Sequence, residues 1–191
     1  PAQTYPLAIA LDENDPNKLF FTCGDKHSNY LCVSSDKGEN ITQKPLPCSV
    51  HGNEVGRATG DRLIYKNGRL YFGSQTAGII YSEDMGESWQ SVDLFGEKNI
   101  SLIWTDSEGK LFIAGCSGEA NSLDGVTRGH TLYCSTDGLK SFVPLTAPDP
   151  VKYENSSYYG FVPQRITSDS RYIYITFASS GEVFYGGMGA Y

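Results

Sequence analysis

The sequence of 191 residues predicts an all-β protein made of β-propeller blades, in which each blade is a four-stranded antiparallel sheet. Two observations predict this fold. One short motif occurs three times, at intervals close to the length of a four-stranded blade. Around every copy lie short runs of β-branched and aromatic residues bounded by Gly, Asn and Asp, a pattern typical of strands joined by tight turns.

The repeated motif has the form S-x-D-x-G-x-x-(aromatic or apolar) and is an Asp-box. Its second copy is complete and ends in Trp89, its first copy ends in Ile41, and in its third copy the glycine comes one position early, at Gly138. The separations of the aspartates are 48 and 53 residues (84 − 36 and 137 − 84). These aspartates are Asp36, Asp84 and Asp137.

Each residue type of the box has a predicted structural role. The aspartate can accept backbone N–H groups across a hairpin loop, the glycine adopts a positive φ without steric cost, and the terminal aromatic residue packs between neighbouring sheets. We therefore interpret Asp36, Asp84 and Asp137 as structural residues rather than as catalytic carboxylates. We expect Trp89 to lie in the core.

The predicted blades span residues 5–50, 58–95, 99–147 and 161–191, and the last of them is incomplete. A propeller closes with about 4 to 8 blades, and an open stack would leave strand edges and apolar faces exposed. We therefore expect the remaining blades of a larger propeller as the partner of this chain, and an unusually small closed propeller is the alternative. A first residue of proline rather than methionine also indicates a processed or excised chain.

Composition and charge narrow the function. The net charge of −7 and the absence of a basic patch argue against nucleic acid as a partner, and no apolar run approaches the roughly 20 residues that span a membrane. A neutral polysaccharide or oligosaccharide fits better. The histidines have no metal-ligand spacing and no cofactor motif is found, so we expect neither a metal nor a cofactor. The five cysteines include no C-x-x-C pair, and their odd number leaves at least one unpaired.

A longer motif is more specific than the boxes. Residues 51–63 read H-G-N-E-V-G-R-A-T-G-D-R-L and resemble the G-G-N-E-P-G-R-x-x-G-E-R-L segment of glycoside hydrolase family 74. The following residues 70–82, and residues 8–17 near the start, are also similar to segments of that family. The resemblance spans nearly the whole chain, and residues 51–89 carry most of its weight. The chain departs from the family at His51, Val55 and Asp61.

The resemblance implies two seven-bladed propellers that face each other across a sugar-binding cleft. It also implies a secreted enzyme, a xyloglucanase or oligoxyloglucan-releasing cellobiohydrolase, that hydrolyses β-1,4-glucan with inversion. Inversion uses two carboxylates about 6.5–9.5 Å apart, and the family segments that carry them are not found in this sequence. By this resemblance the chain forms part of the cleft wall and is inactive alone. A non-catalytic Asp-box module that binds glycan or protein is the alternative from another class, and a sialidase-like enzyme is disfavoured.

The polar, Gly-rich segment from residue 51 to residue 62 holds the first candidate site residues. Asn53, Glu54 and Arg57 can hydrogen-bond sugar hydroxyls. The competing interpretation is that they brace the loop, with Arg57 or Arg62 paired to Glu54 or Asp61. Loops at one face of a propeller usually carry its function, which makes this segment a candidate binding region.

Aromatic side chains supply the other candidates, because the C–H-rich faces of sugar rings stack on them. Trp104 lies near the start of a predicted blade and either lines the cleft or packs in the core. Tyr158 and Tyr159 lie in a long linker, where they either bind glycan or pack over a blade edge.

Overall fold

The structure, a computed structural model, describes residues 5–24, 28–50, 62–74, 76–116, 131–145, 161–179 and 187–190. Within these ranges it has four antiparallel sheets and no helix. Sheet 1 contains β1 (Tyr5–Asp12), β2 (Asp15–Gly24), β3 (Asn29–Ser34) and β4 (Thr42–Pro45). Sheet 2 contains β5 (Leu63–Lys66), β6 (Arg69–Gly73), β7 (Ile79–Ser82) and β8 (Gln90–Val92). Sheet 3 contains β9 (Asn99–Thr105), β10 (Leu111–Cys116), β11 (Thr131–Ser135) and β12 (Val143–Leu145). Sheet 4 contains β13 (Phe161–Ser168), β14 (Ile173–Ser179) and β15 (Gly187–Ala190).

In every sheet the strands lie side by side in chain order, so each sheet is a simple antiparallel meander. Three sheets have four strands, and the described part of sheet 4 has three. This arrangement confirms the predicted all-β class and the four-stranded antiparallel sheets. It follows from short runs rich in β-branched and aromatic residues, which tight turns separate. In the turn at Asn67-Gly68 both residues have positive φ, as a two-residue hairpin turn requires.

The meanders give the stack two different ends. At one end, here called the box end, lie the Asp-box turns and the turns between the first two strands of each sheet. Lys37 of the first box donates its backbone N–H to the Asn17 carbonyl at 2.8 Å, and Lys66 Nζ lies 2.5 Å from Glu13 Oε2 in the neighbouring sheet. At the other end, here called the loop end, the chain leaves each sheet for the next one.

The core lies between adjacent sheets. Successive side chains of a strand point to opposite faces of its sheet, so every second side chain is directed at the neighbouring sheet. Residues from β1 to β3 pack on residues from β5 to β7 in the first interface, and corresponding clusters fill the second and third interfaces. The largest fully buried side chains of the first interface are Phe20, Leu31, Leu63, Leu70 and Phe72.

The two outer faces of the stack expose apolar side chains. On sheet 1, Ile9 and Leu11 are 66% and 62% exposed, while Ala10, which points to the opposite face, is buried against sheet 2. On sheet 4, Tyr174 is exposed and Ile175, on the opposite face, packs on the third cluster. The outer faces of sheets 1 and 4 therefore present apolar surface of the kind that another sheet covers.

Candidate functional site

The second Asp-box shows how the motif holds its turn. Asp84 Oδ1 accepts the Ser82 hydroxyl at 2.8 Å and the Ser88 backbone N–H at 2.9 Å. Its other oxygen, Oδ2, accepts the Ser88 hydroxyl at 2.6 Å. Both carboxylate oxygens are therefore occupied inside the turn between β7 and β8.

The first and third boxes repeat this arrangement. Asp36 accepts the backbone N–H of Asn40 at 2.9 Å and its side-chain amide at 2.6 Å. Asp137 accepts the backbone N–H of Ser141 at 3.0 Å and its hydroxyl at 2.5 Å. In each box the aspartate binds the residue four positions further on, which closes the hairpin loop.

The early glycine of the third box leaves the backbone geometry unchanged. In the second box the two residues after the aspartate, Met85 and Gly86, have φ of 58° and 86°, and in the third box Gly138 and Leu139 have φ of 72° and 74°. A leucine at positive φ is strained. The buried side chain of Leu139 in the second interface, and the bond from its N–H to Ser135 Oγ at 3.0 Å, hold it there.

The box serine has a role that the sequence interpretation leaves unassigned. The hydroxyl of Ser82 donates to Asp84 and also accepts the backbone N–H of Gly86 at 2.7 Å. The serines of all three boxes are buried, and each makes the equivalent pair of bonds. The signal for this role is the presence of serine at the first position of every copy.

These hydrogen bonds stabilise the charged form of the aspartates. The Ser88 hydroxyl, followed by the Ser88 N–H, lowers the pKa of Asp84 from its ordinary 3.8 to about 2, and Ser141 lowers the pKa of Asp137 to about 2 in the same way. A general acid in glycoside hydrolysis needs a raised pKa. The shift therefore has the wrong direction for that task and supports a structural role.

The lowered pKa values predict a specific acid response. A carboxylate whose pKa is lower in the folded than in the unfolded state stabilises the fold above the unfolded value of about 4, and this contribution disappears as the pH falls to about 2. We expect the melting temperature to fall over that window. In an Asp84→Asn, Asp137→Asn double variant, whose amide oxygens still accept hydrogen bonds but do not titrate there, the fall becomes shallower. Thermal unfolding followed by circular dichroism between pH 5 and pH 2 tests this, and parallel curves for the two proteins would contradict it.

Arg62 is the last residue of the predicted binding segment and the part of it that the structure describes, at the loop end. Its side chain is buried, its Nη2 donates to the Val50 carbonyl at 3.0 Å, and its guanidinium lies 5.7 Å from the centroid of the Phe72 ring. Burial lowers its pKa to about 10, and its buried Nη1 has no hydrogen-bond partner among the residues that the structure describes. Arg62 therefore ties the start of β5 to the end of the preceding segment at Val50.

The other predicted residues of that segment, Asn53, Glu54, Arg57 and Asp61, lie outside the described residues, as do Tyr158 and Tyr159. Their proposed partnerships with Arg62 or with a sugar remain predictions. The segments that contain them are attached at Val50 and Arg62 and after Leu145, all at the loop end.

Trp104 lies elsewhere. It is the second-last residue of β9, beside the turn that leads to β10, and therefore lies near the box end. It is partly buried, packs on the third core cluster, and its ring centroid is 5.5 Å from that of Phe112. The structure therefore places Trp104 at the opposite end of its strand from the points where the two candidate loops are attached, in contact with the core. Trp89 is also partly buried, against the first cluster.

Phe95 is an exposed aromatic residue that the sequence analysis does not single out. It lies between β8 and β9, has a positive φ of 51°, and is 66% exposed. Its ring centroid lies 5.7 Å from that of Tyr133 and 6.3 Å from that of Phe142, so it covers the margin between sheets 2 and 3. The Phe95-Gly96 dipeptide after β8 is a weak signal, because exposure cannot be inferred from it.

Two negative findings concern the described residues alone. They contain no group of three or more His, Cys, Asp or Glu side chains that could hold a metal ion. They also contain no helix with the length and apolar character needed to cross a membrane.

Comparison with known proteins gives consistent relatives. No family model matches the chain. An oligoxyloglucan-reducing end-specific xyloglucanase from Emericella nidulans is 32% identical over 119 residues, which are 56% of this chain and 15% of that enzyme. A xyloglucanase from Paenibacillus is 27% identical over 155 residues, 69% of this chain and 15% of that enzyme.

The solved structures agree with these relatives. A glycoside hydrolase family 74 enzyme from Niastella koreensis superimposes with a TM-score of 0.71 and 25% identity, over 97% of this chain and 27% of that structure. The family 74 xyloglucanase from Xanthomonas campestris, at 22% identity, has the same fold with a TM-score of 0.69 over 95% of this chain and 28% of the other. The chain spans less than a fifth of the length of the matched sequence relatives. Its homologues are thus xyloglucanases, its structural neighbours include family 74 glycoside hydrolases, and its fold matches a part of their propeller fold.

Proposed function

We propose that this chain forms one wall of the sugar-binding cleft of a glycoside hydrolase that cleaves the β-1,4-glucan backbone of a xyloglucan-like polysaccharide. The observation that carries the proposal is the agreement of two independent comparisons, since the sequence relatives are xyloglucanases and a family 74 structure covers 97% of the chain. The protein is exported, because a plant-wall polymer lies outside the cell that degrades it.

The catalytic carboxylates are supplied by other parts of the protein. Within the described residues, the aspartates that recur most regularly are those of the boxes, and all three are bound inside their turns with lowered pKa values. An inverting pair needs one carboxylic acid that stays protonated until it reaches the leaving oxygen. A box aspartate does not meet that requirement.

Further blades of the same protein cover the two outer faces of the stack. Ile9 and Leu11 on sheet 1 and Tyr174 on sheet 4 are exposed at opposite ends of the series of sheets. A propeller blade buries both faces against its neighbours, and the matched relatives are several times longer than this chain. The apolar faces are therefore blade interfaces.

The substrate is bound at the loop end. The segments that contain Asn53, Glu54 and Arg57, and Tyr158 and Tyr159, are attached there. The amide, carboxylate and guanidinium groups suit sugar hydroxyls, and the two phenol rings suit the apolar faces of pyranose rings. Trp104 contributes to the core beneath them rather than to the first contact with the sugar.

We expect the protein as it occurs naturally to release reducing sugar from xyloglucan. Asn53→Ala and Glu54→Gln should each raise the KM for xyloglucan by about 5- to 10-fold, the effect of one lost hydrogen bond to a polar ligand. Glu39→Gln is the matched control, because Glu39 is exposed at the box end. Its KM should stay at the wild-type value.

The assay includes unsubstituted β-glucan and a pull-down on insoluble glucan. Release from unsubstituted β-glucan alone would overturn the xyloglucan specificity. A folded protein that binds glucan but releases no sugar from either polymer would leave a non-catalytic binding module. Equal KM values for the two loop variants and the control would remove the segment around residues 53 and 54 from the binding site.

A further inference from the structure

Two cysteines lie next to each other on one face of sheet 1. In the pairing of β2 with β3, Cys23 is opposite Tyr30 and Cys32 is opposite Phe21. Cys23 and Phe21 point to the same face because they are two residues apart, and so do Cys32 and Tyr30. Cys23 and Cys32 are therefore diagonal neighbours across the hairpin. They lie on the face directed away from sheet 2, whereas Phe20 and Leu31 lie on the opposite face and pack against sheet 2.

The two sulfur atoms are in direct contact. Their Sγ atoms are 3.0 Å apart, and both residues are buried. A disulfide bond is about 2.0 Å long, so the sulfurs are within about 1 Å of bonding distance. The described thiols of Cys48 and Cys134 have other surroundings: Cys48 lies near Ser74 and Arg62, and Cys134 lies on β11 of sheet 3.

The environment makes this pair inert once the sheet has formed. Burial, followed by the contact with Cys23, raises the pKa of Cys32 to about 12, and only a thiolate attacks a disulfide. Oxidation in the folded protein is therefore slow. In the unfolded hairpin the thiols are exposed, and only nine positions separate them in the sequence (32 − 23), so their encounter needs little loop closure.

We propose that Cys23 and Cys32 form a disulfide bond while sheet 1 folds in the presence of a disulfide-bearing oxidant, such as oxidised glutathione or a protein disulfide oxidoreductase. One cysteine thiolate attacks the oxidant's disulfide and releases one thiol. The second cysteine thiolate then attacks the mixed disulfide, which forms the Cys23–Cys32 bond and releases the second thiol. The two cysteines thus lose two electrons and two protons, and the oxidant disulfide is reduced to two thiols.

The bond has a mechanical consequence for the stack. It fixes β2 against β3 on the outer face of sheet 1, the face that also exposes Ile9 and Leu11. A crosslink stabilises mainly by restricting the unfolded chain. The β2–β3 hairpin of sheet 1 is then the element whose stability increases most on oxidation.

Thiol counting by mass tests the pairing on the wild-type protein. The protein is unfolded and refolded with a mixture of reduced and oxidised glutathione, denatured without reductant, and labelled with N-ethylmaleimide. We expect Cys23 and Cys32 to carry no label until a reductant is added, and Cys48 and Cys134 to be labelled from the start. Full labelling of Cys23 and Cys32 without reductant would overturn the proposal, and so would a crosslink from either of them to a different cysteine.

Thermal unfolding provides a second readout. We expect reduction to lower the melting temperature of the refolded wild-type protein by about 5–10 °C, the shift that a short disulfide loop gives in a domain of this size. Cys32→Ser should remove this dependence on reductant, whereas Cys48→Ser should keep it. A reductant effect of the same size in Cys32→Ser would show that another bond is responsible.

Discussion

Replacement of Phe72 by alanine is expected to lower the free energy of unfolding by about 3–5 kcal/mol, the range for a buried phenylalanine. Phe72 is fully buried in the first interface, where sheet 2 packs on sheet 1. It lies on β6, paired with Leu63 on one side and Ile80 on the other. Truncation therefore leaves a cavity between two sheets that their regular strands cannot close. Since domains are stable by about 5–15 kcal/mol, the loss is a large share of the total.

The measurement is urea-induced unfolding, with the midpoint read from tryptophan fluorescence and circular dichroism. Phe95→Ala is the matched control, because it removes the same atoms from a ring that is 66% exposed. We expect it to change stability by less than about 1 kcal/mol. Phe72→Leu, which keeps most of the volume, should be intermediate. Equal losses for Phe72→Ala and Phe95→Ala would contradict the placement of the core between the sheets.

The sequence predicts the sheets well because their signals are local. Runs such as Leu70-Tyr71-Phe72 are too apolar for a loop, and the Asn67-Gly68 pair before them requires a tight turn. The Asp-box adds a repeat whose spacing indicates the size of the blade. These two signals agree at sheets 1, 2 and 3, so the all-β class and the four-stranded meander do not depend on long-range information.

Other features depend on contacts that no local pattern shows. The glycine of the third box comes one position early, and Leu139 adopts the positive φ expected of glycine, because its side chain is buried in the second interface. The burial of Arg62 is equally hidden, since arginine next to a polar segment indicates an exposed residue. The contact of Cys23 with Cys32 depends on the register of β2 and β3, which the sequence does not define.

The candidate site was predicted less completely than the fold. Its proposed residues Asn53, Glu54 and Arg57 rest on the resemblance to a family segment, and a role in sugar binding depends on where a loop places its side chains. Trp104 illustrates the difficulty, because its position near the start of a predicted blade is compatible with a cleft residue and with a core residue. Its contact with Phe112 near the box end favours the core.

Gly86→Ala is expected to destabilise the protein by about 2–5 kcal/mol. Gly86 has a φ of 86°, which costs a residue with a side chain about 1–2 kcal/mol. In addition, a Cβ at this position would overlap the Cδ2 atom of Leu31. Leu31 is fully buried on sheet 1, so it cannot move aside without disturbing the first interface, and overpacking of a core typically costs about 1–3 kcal/mol more.

The chain offers a matched control for the backbone contribution. Gly38 holds the same position in the first box, with a φ of 91°, but the nearest atom to an added Cβ is Leu19 Cδ2 at the ordinary contact distance of 3.7 Å. Gly38→Ala should therefore show the strain alone, about 1–2 kcal/mol. The difference between the two variants in urea unfolding measures how tightly the second box is packed on sheet 1.

A double-mutant cycle separates this packing from the turn itself. In a Leu31→Val background, which removes a buried methylene beside Gly86, the cost of Gly86→Ala should fall toward that of Gly38→Ala, with a coupling of about 1–3 kcal/mol. The cost of Gly38→Ala should be the same in both backgrounds. If Gly86→Ala were equally costly in both, the contact with Leu31 would not limit the site. The box glycine would then serve the turn only, and the close approach of the second box to the neighbouring sheet would contribute nothing to how the blades stack.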